Sequence, residues 1–225
     1  MKICVAIDGP AAAGKSTVAK LVAKSKGYTY IDTGAMYRAF TWYCLSKGVN
    51  CEDEAACCAL IPEVFIELKP NNIVLCNNID VTHEIRLPNV SSNVSYIASY
   101  KDIRLALVNL QRAMAEKDSV VMDGRDIGTY VLPNAEIKIF QIATVDTRAK
   151  RRFEENKEKG IECTYEDIVN DVKKRDKIDS GRAFAPLKPA KDSIMLDTSN
   201  MSVEEVVNAI IEIIDKKIEE IKNNG

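Results

Sequence analysis

A glycine-rich segment that directly follows a short apolar run constrains the fold of this chain more than any other feature. Residues 3–7 are apolar, and Gly9 to Ser16 match the pattern G-x-x-x-x-G-K-[ST]. In such a loop, backbone N–H groups at the start of a helix bind anionic oxygens. The segment therefore predicts a strand, a phosphate-binding loop and a helix that begins near Lys15.

The loop predicts binding of a nucleoside triphosphate together with Mg²⁺. In such a loop Lys15 reaches the β- and γ-phosphates and the Ser16 hydroxyl ligates the metal. Asp123 follows a predicted strand at 119–122, where loops of this kind have a second metal-organising carboxylate. A simple turn aspartate remains the alternative for Asp123. The triphosphate-binding residues are predicted to be Gly9, Pro10, Ala11, Ala12, Ala13, Gly14, Lys15 and Ser16.

The rest of the chain alternates short apolar strands with helices, which is typical of a parallel sheet covered on both faces. Further strands are predicted at 28–31, 119–122, 137–141 and 193–196. The expected fold class is α/β, with a five-stranded parallel sheet, a small antiparallel β insert and a helical lid. Strands at 64–68 and 73–76 form the insert. Helices at 146–160 and 164–178 meet around Gly160, and a capping box at Ser202–Glu205 opens a last helix.

Composition excludes several classes of protein. Lys and Arg number 31 against 33 Asp and Glu, and this net charge of −2 argues against a nucleic-acid-binding protein. No apolar stretch is long enough for a bilayer and no signal peptide is evident, so we expect a cytoplasmic protein without a membrane partner. Seven Cys without a C-x-x-C pair, and His83 alone, favour reduced buried thiols over a zinc site.

A second group of polar residues is expected at the edge of the sheet that carries the phosphate loop. Thr33 and Arg38 follow the second strand, and Arg125 and Asp126 follow the strand that ends at Asp123. Ligands of open α/β sheets bind at this edge, and a planar guanidinium suits a phosphate. Arg38 is therefore interpreted as a phosphate ligand rather than an exposed helix residue.

Two basic segments allow both a structural and a functional interpretation. Arg175 and Asp179 have the spacing of an i,i+4 ion pair, which spacing alone favours. The cluster Arg148, Lys150, Arg151 and Arg152 allows the same interpretation or a mobile basic lid. Because the chain has one His and many Arg, a phosphate acceptor fits better than an alcohol, since a phosphate monoester needs no base.

Taken together, these segments resemble the bacterial cytidylate kinase family. The most specific matches are Asp123-Gly124-Arg125-Asp126-Ile127-Gly128-Thr129 and Arg175-Asp176-Lys177-Ile178-Asp179-Ser180, and the likeness spans nearly the whole chain. The resemblance implies transfer of the γ-phosphoryl group of Mg-ATP to CMP or dCMP by a single domain, and a monomer. It adds Thr17 to the ATP site and implies a core (about 1–60, 97–147, 163–225), a monophosphate-binding insert (about 61–96) and a lid (about 148–162).

The resemblance also implies residue roles. Ser95, Arg104 and Asp126 would read the cytosine, Thr33 would contact the nucleotide, and Arg175 and Asp179 would bind the ribose. Arg38, Arg125 and Arg182 would bind the acceptor phosphate, and Arg151 and Arg152 would meet the transferring group. With Lys15, the catalytic set is Arg125, Arg151, Arg152 and Arg182. A kinase for another monophosphate or a small metabolite, or a nucleotide-dependent switch, remains an alternative.

Overall fold

The structure, a computed structural model, describes residues 1–158 and 160–223. The strands of this part of the chain are β1 Cys4–Asp8, β2 Thr29–Asp32, β3 Ile66–Lys69, β4 Ile73–Cys76, β5 Ile79–Asp80, β6 Val120–Gly124, β7 Ile137–Ile142 and β8 Ile194–Asp197. Five of them form a parallel main sheet in the order β2-β6-β1-β7-β8. The other three, β3 to β5, form a separate antiparallel sheet. The predicted fold class is confirmed.

Eight α-helices connect and cover these strands in the described part of the chain. They are α1 Lys15–Lys26, α2 Thr33–Ser46, α3 Glu54–Ala59, α4 Pro88–Ile97, α5 Lys101–Ala115, α6 Val145–Glu158, α7 Tyr165–Gly181 and α8 Val203–Asn223. The capping box predicted before α8 is confirmed, because the Ser202 N–H donates to Glu205 and the Glu205 N–H donates to Ser202 Oγ.

The inner strands β1, β6 and β7 are buried on both faces because they have apolar side chains on both sides, whereas the edge strand β8 is mostly exposed. One face packs on α1 and α8, where Val18 and Val22 meet Ile210 and Ile214. The other face packs on α5 and on a π-type turn at Ile127–Val131. Strand β1 is covered on both of its faces, and its apolar side chains, such as that of Ile7, are fully buried.

The antiparallel sheet packs on α2 and α4, and together they form a second apolar cluster. Phe40 and Cys44 from α2 lie in it with Ile66 and Ile97. A smaller cluster joins α6 to α7 through Ala149, Ile168 and Val172. The division of the chain into core, insert and lid at the expected boundaries stays a prediction.

Composition led us to expect reduced cysteines and no membrane-spanning segment. The seven cysteines are free; Cys44, Cys51, Cys57 and Cys76 are buried, and three others are partly buried. Among the described residues, no helix combines the length and the apolar character needed to span a bilayer.

Candidate active site

A cavity of about 930 Å³ lies at the carboxyl edge of the main sheet. Strand order explains it, because β1 lies between β6 and β7 and the loops that follow these strands meet there. Most predicted site residues line it: Ala12, Ala13, Gly14, Lys15, Ser16, Thr17, Thr33, Arg38, Ser95, Arg104, Asp123, Arg125, Asp126, Arg151, Arg152, Arg175, Asp179 and Arg182. Gly9, Pro10 and Ala11 belong to the same loop but are not part of the cavity lining.

The phosphate loop is tightly held between β1 and α1. Gly9 has φ +153°, and a Cβ there would lie 2.0 Å from the carbonyl oxygen of Gln141, so only glycine fits. Lys15 is buried and its Nζ donates to the carbonyl of Pro10 at 2.8 Å. Burial, followed by the charge of Arg125, lowers the pKa of Lys15 to about 7, although Asp123 and Asp8 oppose this. An anion beside Lys15 would stabilise its charged form.

Ser16 and Asp123 meet although they come from different loops. The Ser16 hydroxyl donates to Asp123 Oδ2 at 2.8 Å, and the Tyr30 hydroxyl donates to Asp123 Oδ1 at 2.7 Å. Burial, followed by the charge of Asp32, raises the pKa of Asp123. A carboxylate that burial destabilises, next to a hydroxyl, fits a hard divalent cation such as Mg²⁺.

Several arginines that line the cavity lie close to one another. Arg38 is held by Ser91, to whose Oγ its Nη1 donates at 2.7 Å. Burial and the charges of Arg175, Arg86 and Arg152 lower the pKa of Arg38. Such a concentration of positive charge favours binding of an anion that carries more than one charge.

Asp179 and Arg125 both line the cavity and pair with each other. Arg125 Nε donates to Asp179 Oδ2 at 2.7 Å. Burial alone would raise the pKa of Asp179, but the guanidinium groups of Arg125 and Arg182 outweigh it, and the pKa is lowered. The i,i+4 ion pair of Arg175 with Asp179 that spacing favoured is therefore wrong. The buried Nε of Arg175 has no hydrogen-bond partner among the described residues, and it borders the cavity.

The ion pair of Arg104 with Asp126 is among the most buried polar groups that line the cavity. Only 1% of Arg104 is exposed, and its Nη2 contacts Asp126 Oδ2. The carbonyl of Ala98 accepts from Arg104 Nη1 at 2.9 Å and from Arg182 Nη1 at 3.0 Å. This carbonyl therefore links two of the predicted substrate residues, and Ser95 lies buried on α4 nearby in the same cavity.

The basic residues of α6 have different environments, which spacing did not indicate. Arg148 is buried; its Nη1 donates to the carbonyl of Ala11 at 2.9 Å, and it forms two bonds with Asp176. Arg148 therefore fastens α6 to the phosphate loop, and the interpretation of the basic cluster as a mobile lid stays a prediction. Arg151 donates to the carbonyls of Thr198 and Ala13, whereas Arg152 pairs with Glu155 and faces Arg38.

Sequence reasoning missed several polar residues of the site. Asp8 and Asp32 are the last residues of β1 and β2, at the same edge of the sheet as Asp123. Their positions at the ends of predicted strands could have indicated that they lie close to the site. Asp32 accepts from Arg86 Nη2 at 2.8 Å and also caps α2 through the N–H of Ala35. Arg86 comes from the segment between β5 and α4, and nothing in its local sequence indicated that it reaches this cavity.

Comparison with known proteins places the chain in a family. A sequence model described as Cytidylate kinase matches residues 5–216. Proteins named cytidylate kinase are 53% identical in Bacillus licheniformis (96% of this chain and 97% of the relative) and 49% identical in Bacillus subtilis (96% and 98%). Another from Geobacillus kaustophilus is 51% identical (96% and 98%).

Solved structures support the fold. An uncharacterized protein from Eubacterium ventriosum matches with a TM-score of 0.56 at 20% identity, covering 96% of this chain and 99% of its own. A gluconokinase from Sinorhizobium meliloti matches with a TM-score of 0.54 at 11% identity, covering 99% and 97%. With a family model that spans nearly the whole chain and relatives about half identical over the same length, this chain belongs to the cytidylate kinase family.

Proposed function

We propose that this chain transfers the γ-phosphoryl group of ATP to CMP or dCMP, giving ADP and CDP or dCDP. The observation that carries the proposal is that one cavity joins the phosphate loop to a cluster of arginines and buried carboxylates. A nucleotide-dependent switch or a simple ATPase would not require the cluster of arginines and carboxylates beside the phosphate loop. Membership of the cytidylate kinase family supports cytosine as the base of the acceptor.

The ATP side is assigned to the loop from Gly9 to Thr17. Its backbone N–H groups would bind the phosphates at the start of α1, and Lys15 would pair with the β- and γ-phosphates. Phosphate charge would raise the pKa of Lys15 from about 7, so the lysine is charged when the nucleotide is bound. Arg151, which donates to the carbonyl of Ala13, would stiffen the same loop and approach the transferring group.

The acceptor side is assigned to two sets of residues. Ser95, Arg104 and Asp126 would read the cytosine edge, because this part of the cavity combines a hydroxyl, a guanidinium and a carboxylate. Thr33 would contact the nucleotide. Arg175 and Asp179 would bind the ribose, and the unpartnered Nε of Arg175 supports this role.

Phosphate contacts of the acceptor are assigned to Arg38, Arg125 and Arg182. Arg182 supports this assignment because its buried Nη2 has no hydrogen-bond partner within the described residues. Arg152 faces Arg38 and Arg175 and would therefore neutralise the group in transfer. These charges stabilise the loose transition state of phosphoryl transfer and hold the two nucleotides in line.

The proposed reaction needs no general base. An acceptor phosphate is largely dianionic at neutral pH, since its second pKa is about 6. His83 is exposed and is absent from the lining of the cavity. Positioning and charge neutralisation by this chain's arginines are therefore sufficient.

Mg²⁺ is the proposed cofactor, held through Ser16 and Asp123. When bound, it supplies charge neutralisation at the β- and γ-phosphate oxygens. The 2.8 Å contact between the Ser16 hydroxyl and Asp123 supports the assignment, because both oxygens belong to one small site.

We further propose that the enzyme acts in the cytoplasm as a monomer on small molecules, without nucleic-acid or membrane partners. The nearly balanced charge and the seven free thiols support this setting. Size-exclusion chromatography with light scattering tests the monomer, with a mass near 25.0 kDa expected.

The reaction is tested by measuring ADP release from Mg-ATP with CMP, dCMP, UMP, AMP, GMP or no acceptor. Strong turnover with CMP and dCMP, and little without acceptor, is the expected result. Lys15→Met should abolish most turnover, whereas Lys24→Met, an exposed lysine of the same helix, should not. Equal ADP release without acceptor would contradict the kinase, and turnover with only another monophosphate would contradict the cytosine assignment.

A further inference from the structure

Asp8 is a buried carboxylate to which the proposed reaction gives no role. It ends β1 directly before Gly9, and only 4% of it is exposed. Its Oδ1 accepts the N–H of Ile127 at 2.8 Å, and its Oδ2 accepts the N–H of Gly128 at 2.7 Å. Both amides belong to the turn that follows β6, so Asp8 joins the base of the phosphate loop to the acceptor side.

The turn that Asp8 holds is irregular and needs an external partner. Asp126 has φ −147° and ψ 24°, outside helix and strand, and a π-type turn begins at Ile127. The first N–H groups of a helical turn have no acceptor within it. Asp8 supplies two such acceptors at once, and the two bonds fix the peptide planes that follow Asp126 and Ile127.

We propose that Asp8 is a positioning residue for the acceptor nucleotide: its two hydrogen bonds fix the turn from which Arg125 and Asp126 face the monophosphate. The inference rests on the proposed function, in which Arg125 binds the acceptor phosphate and Asp126 reads the base. Asp8 itself touches neither nucleotide. It acts through the backbone of Ile127 and Gly128.

Stability alone does not account for a carboxylate at this position. Burial raises the pKa of Asp8 to about 7, although the amides of Gly128 and Ile127 oppose the shift and Asp126 adds to it. A raised carboxyl pKa means that the folded state loses stability as pH rises from the ordinary range of an aspartate to about 7. At neutral pH the ionised group is therefore a cost to folding, which its role in positioning explains.

Asp8→Asn is the first test, because it preserves shape but replaces one acceptor by an NH₂ group that would face an N–H. Loss of a hydrogen bond to a charged group corresponds to a change on the order of 10- to 100-fold. We expect kcat/KM for CMP to fall by this factor, mostly through KM, while KM for ATP changes less than about twofold. The preference for CMP over UMP should fall as well, because Asp126 is displaced.

Gly128→Ala reaches the same turn without changing any charge. A Cβ at Gly128 would lie 3.2 Å from the side chain of Lys138 and 3.4 Å from Asp8 Oδ2. It should likewise lower kcat/KM for CMP. If Asp8→Asn does not fold, Gly128→Ala alone tests whether this turn positions the acceptor nucleotide. Asp53→Asn is the matched control, since Asp53 Oδ1 accepts the N–H of Ala56 at 3.0 Å at an exposed helix start outside the cavity.

Hydrogen exchange in the ligand-free protein gives a readout that is independent of catalysis. Amide exchange of Ile127 and Gly128 should accelerate on the order of tenfold in Asp8→Asn, while the amide of Val121 within β6 stays protected. Unchanged exchange at Ile127 and Gly128, equal losses for ATP and CMP, or an unaltered CMP to UMP ratio would overturn the positioning role. Absence of CMP turnover in the wild type would instead contradict the proposed function, and the exchange result would still decide whether Asp8 anchors the turn.

Discussion

The hydroxyl of Ser16 lies 2.8 Å from Oδ2 of Asp123, although 107 residues separate them in the chain. The two meet because β1 and β6 are neighbours in the sheet, with Ile7 opposite Asp123. Their oxygens therefore form one small site between the start of α1 and the end of β6.

Asp123→Asn should weaken the apparent affinity for Mg²⁺ on the order of tenfold or more, because an amide lacks the negative charge that binds the cation. The measurement is initial rate as a function of free Mg²⁺ at saturating ATP and CMP. Asp102→Asn, at an exposed position in the first turn of α5, is the control. An unchanged Mg²⁺ dependence in Asp123→Asn would contradict the metal assignment.

Lys15→Met should stabilise the ligand-free protein, most strongly at pH 7 and below. The pKa of Lys15 is about 7 in the folded protein, against an ordinary value near 10.5. Below pH 7 both states are protonated and the cost of the buried charge is complete; it disappears as pH rises towards 10.5. The expected gain is roughly 2–5 kcal/mol at pH 6.5. Denaturant unfolding at pH 6.5, 8 and 9.5 measures it, with Lys24→Met as control; a gain that grows with pH would refute the explanation.

Asp126→Asn should destabilise the fold as well as impair recognition of CMP. It leaves the buried guanidinium of Arg104 without its charged partner, and such a loss costs about 3–5 kcal/mol. Ser95→Ala, in the same part of the cavity, should cost less than about 1.5 kcal/mol but also lower the preference for CMP over UMP. Thermal unfolding together with the two kcat/KM values separates these effects. Equal stability of the two variants would be inconsistent with this account.

Arg148→Ala should destabilise the protein by roughly 2–4 kcal/mol and raise KM for ATP, because Arg148 ties α6 to the carbonyl of Ala11 and to Asp176. Lys150→Ala, two residues further along the same helix and exposed, should change neither quantity. Urea unfolding and ATP saturation curves test the pair. If Arg148→Ala behaves like Lys150→Ala, the contacts of Arg148 with Ala11 and Asp176 do not contribute to stability or to ATP binding.

Arg182→Ala should raise KM for CMP on the order of tenfold or more, with a smaller effect on KM for ATP. Its guanidinium donates to Ala98 and has a buried Nη2 left for a ligand. Saturation kinetics with each substrate test the split, and Lys188→Ala, at an exposed position, is the control. An unaltered KM for CMP would exclude Arg182 from the acceptor site.

The sheet and its phosphate loop could be predicted from sequence because both depend on local patterns. Apolar runs bounded by glycine or polar residues fix the strands, and the spacing of Gly9, Gly14 and Lys15 fixes the loop. The observed β2, β6, β7 and β8 each overlap a predicted strand, with shifts of one or two residues at their ends. Such shifts are expected where a strand passes into a loop.

Side-chain pairing could not be predicted, because it depends on which loops the sheet brings together. Spacing along α7 favoured Arg175 as the partner of Asp179, but the tertiary partner is Arg125, 54 residues away. The burial of Arg148 likewise depends on contact with the phosphate loop and not on its neighbours in α6. Nothing in the sequence indicated a role for Tyr30, since tyrosine is common in strands. Its hydrogen bond to Asp123 depends on the pairing of β2 with β6.

The central place of β1 in the sheet has a consequence for how the chain folds. This strand is made first, yet both of its partners, β6 and β7, lie beyond residue 119. Closing loops of this length before any pairing energy is gained slows folding. The apolar strand Cys4–Asp8 therefore has no partner until β6, just past the middle of the chain, has been synthesised. During this time the intervening segment with α2, α4 and the antiparallel sheet can assemble its own apolar cluster. The active site is thus completed late, when β6 joins β1 and brings Asp123 to Ser16.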